Sequence, residues 1–303
     1  MQILITGATG FVGRALCQHF HQKGHQLLVV SRNPDSAHSV IGVPLTARQS
    51  AEAFADSDVD AVVNLAGEPI FNRRWSDEQK ARLVDSRVNA TRDVRALCER
   101  LEVPPSVVIS GSAMGYYGDQ GSREVTEETP PADTGKFDHR MCREWEAAAH
   151  AIASEKTRVA CIRIGLVLDQ GGGMLGPMMP MFRVGLGGRL SKGAQYMPWI
   201  HRHDLVRIID FLIHLDGADQ AWNASAPHPV TNAEFTQKLA SALNRPAPFV
   251  MPAPILKPVL GEMSELLLGG ACMKPARLEA AGFEFEFPTL ESALADIKKA
   301  DRR

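Results

Sequence analysis

Cysteine is sparse in this chain, and its spacing excludes two classes of protein. The sequence has five cysteines, an odd number, and no two of them form a Cys-x-x-Cys pair. Secreted domains built on disulfides carry an even set of cysteines, and structural zinc sites use closely spaced pairs. The scattered cysteines therefore predict free thiols in a reducing compartment, with no structural zinc site.

Strong net charge and long apolar runs are also missing. The formal net charge is -2 over 303 residues, which gives no reason to expect a nucleic acid or an anionic membrane as partner. No apolar run reaches the length that spans a membrane. The first residues already read as a core strand, so we expect no signal peptide and a cytoplasmic protein.

The stretch from Met1 to Gly13 is the most informative part of the sequence. A short apolar run, Ile3 to Ile5, is typical of a strand buried on both faces, and apolar residues recur at helical spacing from Phe11 onward. Three glycines at a spacing of three stand between them. Such a turn lets the backbone approach a pyrophosphate, which the helix N-terminus then binds; the alternative is a tight turn without a ligand. The predicted cofactor-binding residues of this turn are Gly7, Thr9, Gly10, Phe11, Val12 and Gly13.

The end of the second predicted strand, Gln26 to Val30, indicates which dinucleotide is bound. An acidic residue there accepts hydrogen bonds from the ribose of NAD, whereas a cation neutralises the 2′-phosphate of NADP. The sequence has Ser31 and Arg32 at this point and no acid before Asp35. We therefore predict NADP as the cofactor, with an exposed loop arginine as the alternative reading of Arg32.

A third strand and a long helix supply further candidates. The strand that starts at Asp60 runs into a glycine turn, and strand ends on this side of a doubly wound sheet face the ligand crevice. The helix expected from about Asp77 to Glu102 carries Arg82 and Arg87 in its first half. Arg87 faces either cofactor phosphate or an acidic substrate, and the alternative is a solvated helix arginine. The candidate residues are Leu65, Ala66, Gly67, Arg82 and Arg87.

These stretches together resemble the extended short-chain dehydrogenases/reductases. The chain is identified as an atypical member, similar to the YfcH-type NAD(P)-dependent epimerase family proteins, and the resemblance covers essentially the whole sequence. It implies an α/β fold with a doubly wound parallel (Rossmann) sheet. Further marks of the resemblance are the stretches 111–117, 145–149, 185–188 and 198–201.

The resemblance also implies roles for individual residues. Ser112 matches the strand-end serine that hydrogen-bonds the substrate oxygen, and Val167 matches the strand that passes beneath the nicotinamide. Tyr116 or Tyr117 is the best remaining proton donor. The implied catalytic set is therefore Ser112, Tyr116 and Tyr117.

One expected motif is absent. The family places Tyr-x-x-x-Lys on a helix, so that the lysine lowers the pKa of the tyrosine. The matching helix starts at Phe137, but Asp138 and Cys142 align with the two positions, or Phe137 and Met141 if the alignment shifts by one residue. The usual proton relay is therefore missing, or is replaced by residues such as Tyr116, Lys136 or His139.

Several smaller predictions concern local structure. Residues 46–58 read as a short helix, and Asp204 is expected to cap the helix that follows it. Thr231 and Glu234 form a capping-box pattern. Arg183, Arg189 and Lys192 either hold an anionic substrate group or are solvated. No metal site is expected at the His-x-His-Asp run 201–204, because no fourth ligand is evident.

The predicted organisation has two domains, and two functions remain open. Residues 1–170 form an NADP-binding Rossmann domain to which 195–225 return, and 171–303 form a smaller C-terminal substrate domain. The first hypothesis is an NADP-dependent epimerase or oxidoreductase acting on a nucleotide-sugar or carbonyl metabolite. The second is a non-catalytic NADP-binding sensor or scaffold. The expected partner is a small substrate, without nucleic acid or membrane, and a homodimer is left open.

Overall fold

Parallel strands form the centre of the structure, a computed structural model that describes residues 1–300. The strands are β1 (Gln2–Thr6), β2 (Gln26–Val30), β3 (Thr46–Arg48), β4 (Ala61–Asn64), β5 (Val107–Ala113), β6 (Glu124–Val125), β7 (Arg158–Ile164), β8 (Leu166–Asp169), β9 (Gly172–Gly173), β10 (Gly188–Leu190), β11 (Tyr196–Met197), β12 (Trp199–His201), β13 (Ala221–Ala224), β14 (Val230–Thr231), β15 (Phe249–Met251) and β16 (Cys272–Met273).

Helices follow many of these strands along the chain. They are α1 (Phe11–Gln22), α2 (Pro34–Ile41), α3 (Asp77–Arg100), α4 (Phe137–His150), α5 (Leu175–Arg183), α6 (Arg202–His214), α7 (Asn232–Leu243), α8 (Ala253–Leu260), α9 (Glu265–Leu268), α10 (Ala276–Ala280) and α11 (Leu290–Ala300). Short 3-10 turns cover Glu52–Phe54, Met114–Tyr116 and Gly261–Ser264. Within the described residues, no helix is both long and apolar enough to cross a membrane.

The central sheet has seven parallel strands in the order β3-β2-β1-β4-β5-β7-β13. Its strands are apolar on both faces because helices cover both. Ile3 and Ile5 of β1 pack into one cluster with α1 and α6, whereas Leu4 packs into another with α3. Continuous apolar runs of this kind are what a sheet buried on both faces requires. The structure confirms the predicted doubly wound α/β fold.

The order of the strands reverses between β1 and β4. The chain builds β1, β2 and β3 in one direction and then returns to build β4, β5, β7 and β13 in the other. Adjacent helices diverge at such a point and leave a crevice outside the carboxyl ends of the strands. In register, Thr6 pairs with Val30 and with Asn64, so β1, β2 and β4 end at one level. The predicted site residues follow these ends.

The C-terminal third has its own apolar cluster, built from α5, α7 and α11 around Trp199 and Phe235. Two connections tie the C-terminal third to the N-terminal part of the chain. Residues 221–224 return as the outermost strand β13, and β16 pairs with β6. The division into domains at residue 170 stays a prediction, since the chain crosses between the two regions more than once.

Two local predictions are wrong, and one is confirmed. Residues 46–58 form β3 and a 3-10 turn instead of a helix, because residues 46–48 pair with β2. The side chain of His201 caps α6 by accepting from the backbone N–H of His203 at 3.2 Å. The Asp204 carboxylate instead accepts the backbone N–H groups of Glu286 and Phe287, at 3.0 and 2.9 Å. The capping box at α7 is present as predicted.

Candidate functional site

The glycine turn between β1 and α1 is closely packed on one side and open on the other. Gly7 has a φ of +71°, and a Cβ there would lie 2.6 Å from the carbonyl oxygen of Leu65. A Cβ on Gly13 would overlap the Gly7 oxygen and lie 2.6 Å from the Cα of Ala8. At Gly10 the nearest atom would be the Gly7 oxygen at 3.1 Å, with nothing else within 4 Å. The first and third glycines therefore serve packing, and the second faces open space.

No side chain accepts a hydrogen bond from the first backbone N–H groups of α1. Gly10 is its N-cap residue, and no side-chain cap is present. The first backbone N–H groups of a helix have no partner within the helix, and together with the helix dipole they attract an anion. Thr9 and Gly10 are exposed at this point. A phosphate is bound where the backbone can approach it closely and where N–H groups are unpaired. The turn has both properties, so it fits the phosphates of a dinucleotide.

Phe11 and Val12 contribute to this turn through packing. The Phe11 ring lies against Gly172 and Gly173, where a Cβ would overlap it. The guanidinium carbon of Arg202 is 4.6 Å from the centroid of this ring, and Arg202 forms an ion pair with Asp169 at 2.6 Å. Val12 packs on the main apolar cluster. The contacts of α1 with β8, β9 and α6 therefore fix the direction of the helix.

The end of β2 presents an unpaired cation. The Ser31 N–H donates to the carbonyl of Arg48 at 2.9 Å, which pins the backbone, and the Ser31 hydroxyl accepts the N–H of Asn33 at 3.3 Å. Arg32 is exposed and forms no hydrogen bond or ion pair with any described residue. A free guanidinium beside the glycine turn is suited to bind a phosphate.

A buried polar network holds the end of β4 beside the turn. The Thr6 hydroxyl donates to Asn64 at 2.6 Å, and the Asn64 amide donates to the Thr91 hydroxyl at 2.8 Å. The Ala66 N–H in turn donates to the Thr6 hydroxyl at 3.1 Å. These bonds join β1, β4 and α3, and they fix the course of residues 65–67 along the crevice.

The two candidate arginines of α3 have different surroundings. Arg82 is exposed and pairs with Glu78 at 2.6 Å, one turn away on the same helix. Arg87 is buried and donates to the carbonyls of Leu83 and Glu68, at 2.8 and 3.0 Å. Its Nε is buried without a partner among the described residues, and burial lowers its pKa. The Arg87 side chain lies against Gly67 at the crevice, so of the two arginines only Arg87 is brought to the predicted site.

A second buried network contains two of the predicted catalytic residues. The Ser112 hydroxyl donates to Glu146 at 2.6 Å, and Arg163 donates to both Glu146 oxygens, at 2.8 and 2.9 Å. Arg163 also donates to the Tyr117 hydroxyl at 2.9 Å, and that hydroxyl donates to Asn223 at 2.7 Å. All five side chains are buried. The chain of bonds links β5, α4, β7 and β13.

This network argues against Ser112 and Tyr117 as groups that touch a substrate. The hydroxyl hydrogens of both are already donated to protein acceptors, and Tyr117 is fully buried. Burial raises the pKa of Tyr117 to about 12, in spite of the neighbouring Arg163. A proton donor must reach the reacting atom, so the two residues are better suited to positioning than to proton transfer.

Tyr116 differs from Tyr117 in each of these respects. It is half-buried, and its hydroxyl has no hydrogen-bond partner within residues 1–300. Its ring is stacked on Arg163, with the guanidinium carbon 3.4 Å from the ring centroid. His139 contacts the Tyr116 carbonyl oxygen through Nδ1 at 2.7 Å. Of the three predicted catalytic residues, Tyr116 is the one whose hydroxyl is available.

The two positions aligned with Tyr-x-x-x-Lys do not form a charged pair. Cys142 is fully buried with its Sγ 3.7 Å from the carbonyl oxygen of Ala113, and burial raises the pKa of its thiol to about 12. Asp138 is half-buried against Gly115, and its carboxylate accepts the N–H of His139 at 3.0 Å. Burial also raises the pKa of Asp138. An apolar cluster that includes Leu83 and Met141 surrounds Cys142.

Val167 lies on β8, the middle strand of a separate three-stranded sheet that β8 forms with β12 and β9. It pairs in register with Ile200 of β12, and its carbonyl oxygen accepts the N–H of Met174 at 3.1 Å. Its side chain packs on the main cluster. Sequence reasoning missed Glu146 and Arg163 as the centre of the second network. The available signal was Arg163 within the apolar run 159–164 of β7, whereas Glu146 lies on a helix with several other charged residues.

Two family profiles and several known proteins match this chain. The profile of the NAD dependent epimerase/dehydratase family matches residues 3–225, and that of a domain of unknown function, DUF1731, matches residues 251–297. The epimerase family protein SDR39U1 of Mus musculus is 35% identical over 306 residues, which cover 98% of this chain and 99% of the relative.

Two further relatives add a plant protein and a solved structure. The SDR39U1 homolog of Arabidopsis thaliana, named chloroplastic, is 37% identical over 98% of this chain and 86% of its own length. The crystal structure of the human epimerase family protein SDR39U1 with NADPH superimposes with a TM-score of 0.89 at 34% identity, covering 99% of both chains. The chain therefore belongs to the NAD dependent epimerase/dehydratase family, among the extended short-chain dehydrogenases/reductases.

Proposed function

We propose that this protein binds NADP and catalyses hydride transfer at a hydroxyl or carbonyl carbon of a small metabolite, such as a nucleotide sugar or another carbonyl compound. The observation that carries the proposal is the open glycine turn at the sheet's switch point, with the unpaired Arg32 beside it. The similarity to a human protein crystallised with NADPH supports the choice of nucleotide.

The residues that would hold the cofactor are those that surround the crevice. Gly10 and the free N–H groups of α1 bind the pyrophosphate, and Arg32 with Ser31 binds the 2′-phosphate. Residues 65–67 would hold the adenosine, and Arg87, whose side chain lies beside Gly67, would contribute positive charge. When bound, the nicotinamide supplies the hydride acceptor or donor, while the protein supplies orientation and proton transfer.

Tyr116 is the proposed proton donor. It follows β5 at the carboxyl edge of the sheet, its hydroxyl is free, and Arg163 holds its ring from below. Arg163 is itself fixed by Glu146, which accepts two hydrogen bonds from it, and Ser112 donates to the same carboxylate. In this proposal Ser112 and Tyr117 act as positioning residues, and Tyr116 alone moves a proton.

The cofactor assignment predicts a difference between two nucleotides. Replacing Arg32 by alanine is expected to weaken NADPH binding by roughly 10- to 100-fold, because charge-assisted hydrogen bonds to the 2′-phosphate are lost. NADH binding should change less than threefold or so, since NADH lacks that phosphate. Titration of nucleotide fluorescence measures both, with Arg92→Ala, an exposed arginine of α3, as the control. Equal losses for the two nucleotides would refute the role of Arg32.

The catalytic proposal is tested by product analysis after incubation with NADPH or NADP and a panel of nucleotide sugars and carbonyl compounds. For a substrate that turns over, Tyr116→Phe should lower kcat by about 100-fold or more, because general acid catalysis is lost, while NADPH affinity stays unchanged. Tyr196→Phe removes a hydroxyl from β11 and serves as the control. Full activity of Tyr116→Phe would exclude this tyrosine as proton donor.

A non-catalytic sensor is the second candidate. It is favoured by the buried Cys142, whose raised pKa keeps it neutral where a lysine is usual. This candidate predicts NADPH binding without product from any member of the panel. It also predicts a partner protein that binds only in the presence of NADPH. Turnover that Tyr116→Phe abolishes would exclude it.

A further inference from the structure

Two segments of the C-terminal region contain no acidic residue. Residues 170–203 and 235–261 have neither aspartate nor glutamate, although the whole chain has 35 acids and a net charge of -2. The same segments contain several cations. They are Arg183, Arg189, Lys192 and Arg202 in the first segment, and Lys238, Arg245 and Lys257 in the second.

The same two segments carry most of the large apolar side chains that the structure exposes. Outside them, the exposed large apolar residues of the described chain are isolated from one another in sequence, as Val40 and Val103 are. Within them, the exposed side chains are Met181 (49%), Val184 (66%), Leu186 (48%), Phe249 (52%), Val250 (44%), Met251 (44%) and Ile255 (53%).

The fold brings these residues together. β10 and β15 pair as a separate two-stranded ribbon, in which Arg189 lies opposite Val250. The Leu186 N–H donates to the carbonyl of Met181 at 2.9 Å, so α5 ends beside the start of the ribbon. Helix α8 begins two residues after β15. Residues 181–192 and 245–257 thus form one surface, which we call the basic apolar face.

Four cations of this face have no ion-pair partner among the described residues. Arg189, Lys192, Arg245 and Lys257 are exposed, and none forms an ion pair with a residue of the described chain. By contrast, the exposed Arg82, Arg95 and Arg100 of α3 each pair with a glutamate. The face therefore offers exposed apolar groups beside four cations that pair with no acid of residues 1–300.

We propose that the basic apolar face docks on the surface of an anionic lipid bilayer. Apolar side chains enter the boundary between headgroups and acyl chains, while long cationic side chains stay at the headgroups and neutralise their charge. All three residues of β15 are exposed, so the ribbon presents apolar side chains on both of its faces. That arrangement suits insertion into a fluid layer better than contact with a flat protein surface.

The same observations disfavour two other occupants. A second copy of this chain would place one set of unpaired cations against another, and like charges in an interface are repulsive. An acidic peptide that adds a strand to β15 would gain few backbone hydrogen bonds, because this strand has three residues. An anionic bilayer accounts for both observations, because it complements the positive charge and can surround apolar side chains on both faces of the ribbon.

The test is co-sedimentation of the full-length protein with vesicles. One set contains phosphatidylcholine alone, and the other contains roughly one-third phosphatidylglycerol, which supplies the negative surface charge. We expect binding to the anionic vesicles only, and release at about 1 M salt, where the Debye length falls to about 3 Å. No binding to the anionic vesicles at low salt would overturn the proposal.

Variants of the face separate this binding from general charge effects. Arg189→Gln with Lys257→Gln should lower the partition coefficient about 25-fold, at roughly fivefold for each cation. Phe249→Ser with Ile255→Ser should lower it at least about tenfold. Arg92→Gln and Val103→Ser, which change an exposed cation and an exposed valine elsewhere, are the matched controls. Equal effects of controls and face variants would contradict the proposal.

A separate measurement distinguishes the other occupants. If the Phe249 and Ile255 variant abolishes concentration-dependent dimerisation in analytical ultracentrifugation and vesicles do not bind, the face is an interface between copies and the bilayer proposal is wrong. Tight binding of a polyglutamate peptide at physiological salt, without vesicle binding, would likewise replace the bilayer with an acidic protein partner. The melting temperature of each variant shows that its surface substitution leaves the fold intact.

Discussion

Replacing Glu146 by alanine is expected to lower the free energy of unfolding by about 3–5 kcal/mol. The substitution leaves Arg163 buried and charged without its partner, and it removes the acceptor of the Ser112 hydroxyl. Burial alone would lower the pKa of Arg163, but hydrogen bonds to Glu146 raise it, so the guanidinium stays charged in the folded state. Urea unfolding followed by circular dichroism measures the loss.

The control for this substitution lies two residues away on the same helix. Glu144 is exposed on α4, and Glu144→Ala should change the free energy of unfolding by less than about 0.5 kcal/mol. The comparison removes any effect of helix propensity, because both substitutions place alanine in the same helix. Equal losses for the two variants would show that the buried network contributes little to stability.

Substitutions at two glycines of the first turn are expected to affect different properties, stability at Gly13 and NADPH binding at Gly10. Gly13→Ala should destabilise the fold by about 3 kcal/mol or more, because the added Cβ overlaps backbone atoms of Gly7 and Ala8 that cannot move aside. Gly10→Ala should cost less than about 1 kcal/mol, because its Cβ meets one atom. Gly10→Ala should nevertheless weaken NADPH binding at least about tenfold, since the Cβ enters the side from which a phosphate approaches.

Thermal unfolding with and without NADPH separates these two effects. Gly10→Ala should keep the melting temperature of the nucleotide-free protein and lose the increase that NADPH gives. Gly176 of α5 has nothing within 4 Å of its added Cβ, so Gly176→Ala is the control for both measurements. Normal NADPH binding by Gly10→Ala would place the phosphates elsewhere.

The features that were predictable from the sequence are those with local causes. The strand, glycine turn and helix at the N-terminus follow one another without interruption, and their periodicity and glycine spacing identified all three. The capping box of Thr231 and Glu234 is equally local, since its two partners are three residues apart. The absence of a Tyr-x-x-x-Lys pair is likewise a property of one helix, and the structure places Cys142 in an apolar cluster at that point.

The features that escaped prediction depend on distant partners. Residues 46–48 become a strand because β2 offers an edge, which no local pattern reveals. Asp204 accepts the N–H groups of Glu286 and Phe287, which are far away in sequence. Its position at the start of a helix therefore suggested the wrong hydrogen bond. Ser112 and Tyr117 were predicted as catalytic from their motif, but two other elements, α4 and β13, supply the acceptors that engage their hydroxyls.

The net charge of the chain is also a poor guide to its surface. Net charge is an average over all residues, and its value of -2 suggested no affinity for an anionic surface. The average hides an uneven distribution, because the acids are absent from the two segments that fold into the basic apolar face. The expectation of no membrane partner rested on that average, and the proposed bilayer docking would reverse it.

The contacts of β13 have a consequence for how the protein is made. The Asn223 amide donates to the Lys274 carbonyl at 2.9 Å, and the Ser225 hydroxyl donates to the Met273 carbonyl at 3.2 Å. Until residues 271–277 leave the ribosome, the outer edge of the sheet lacks these partners, and Tyr117 lacks part of its apolar cover. Residues 3–225 match the family profile, yet Asn223 and Ser225 at the edge of the sheet find their acceptors at residues 273 and 274. The final packing of this edge therefore depends on residues that are synthesised near the end of the chain.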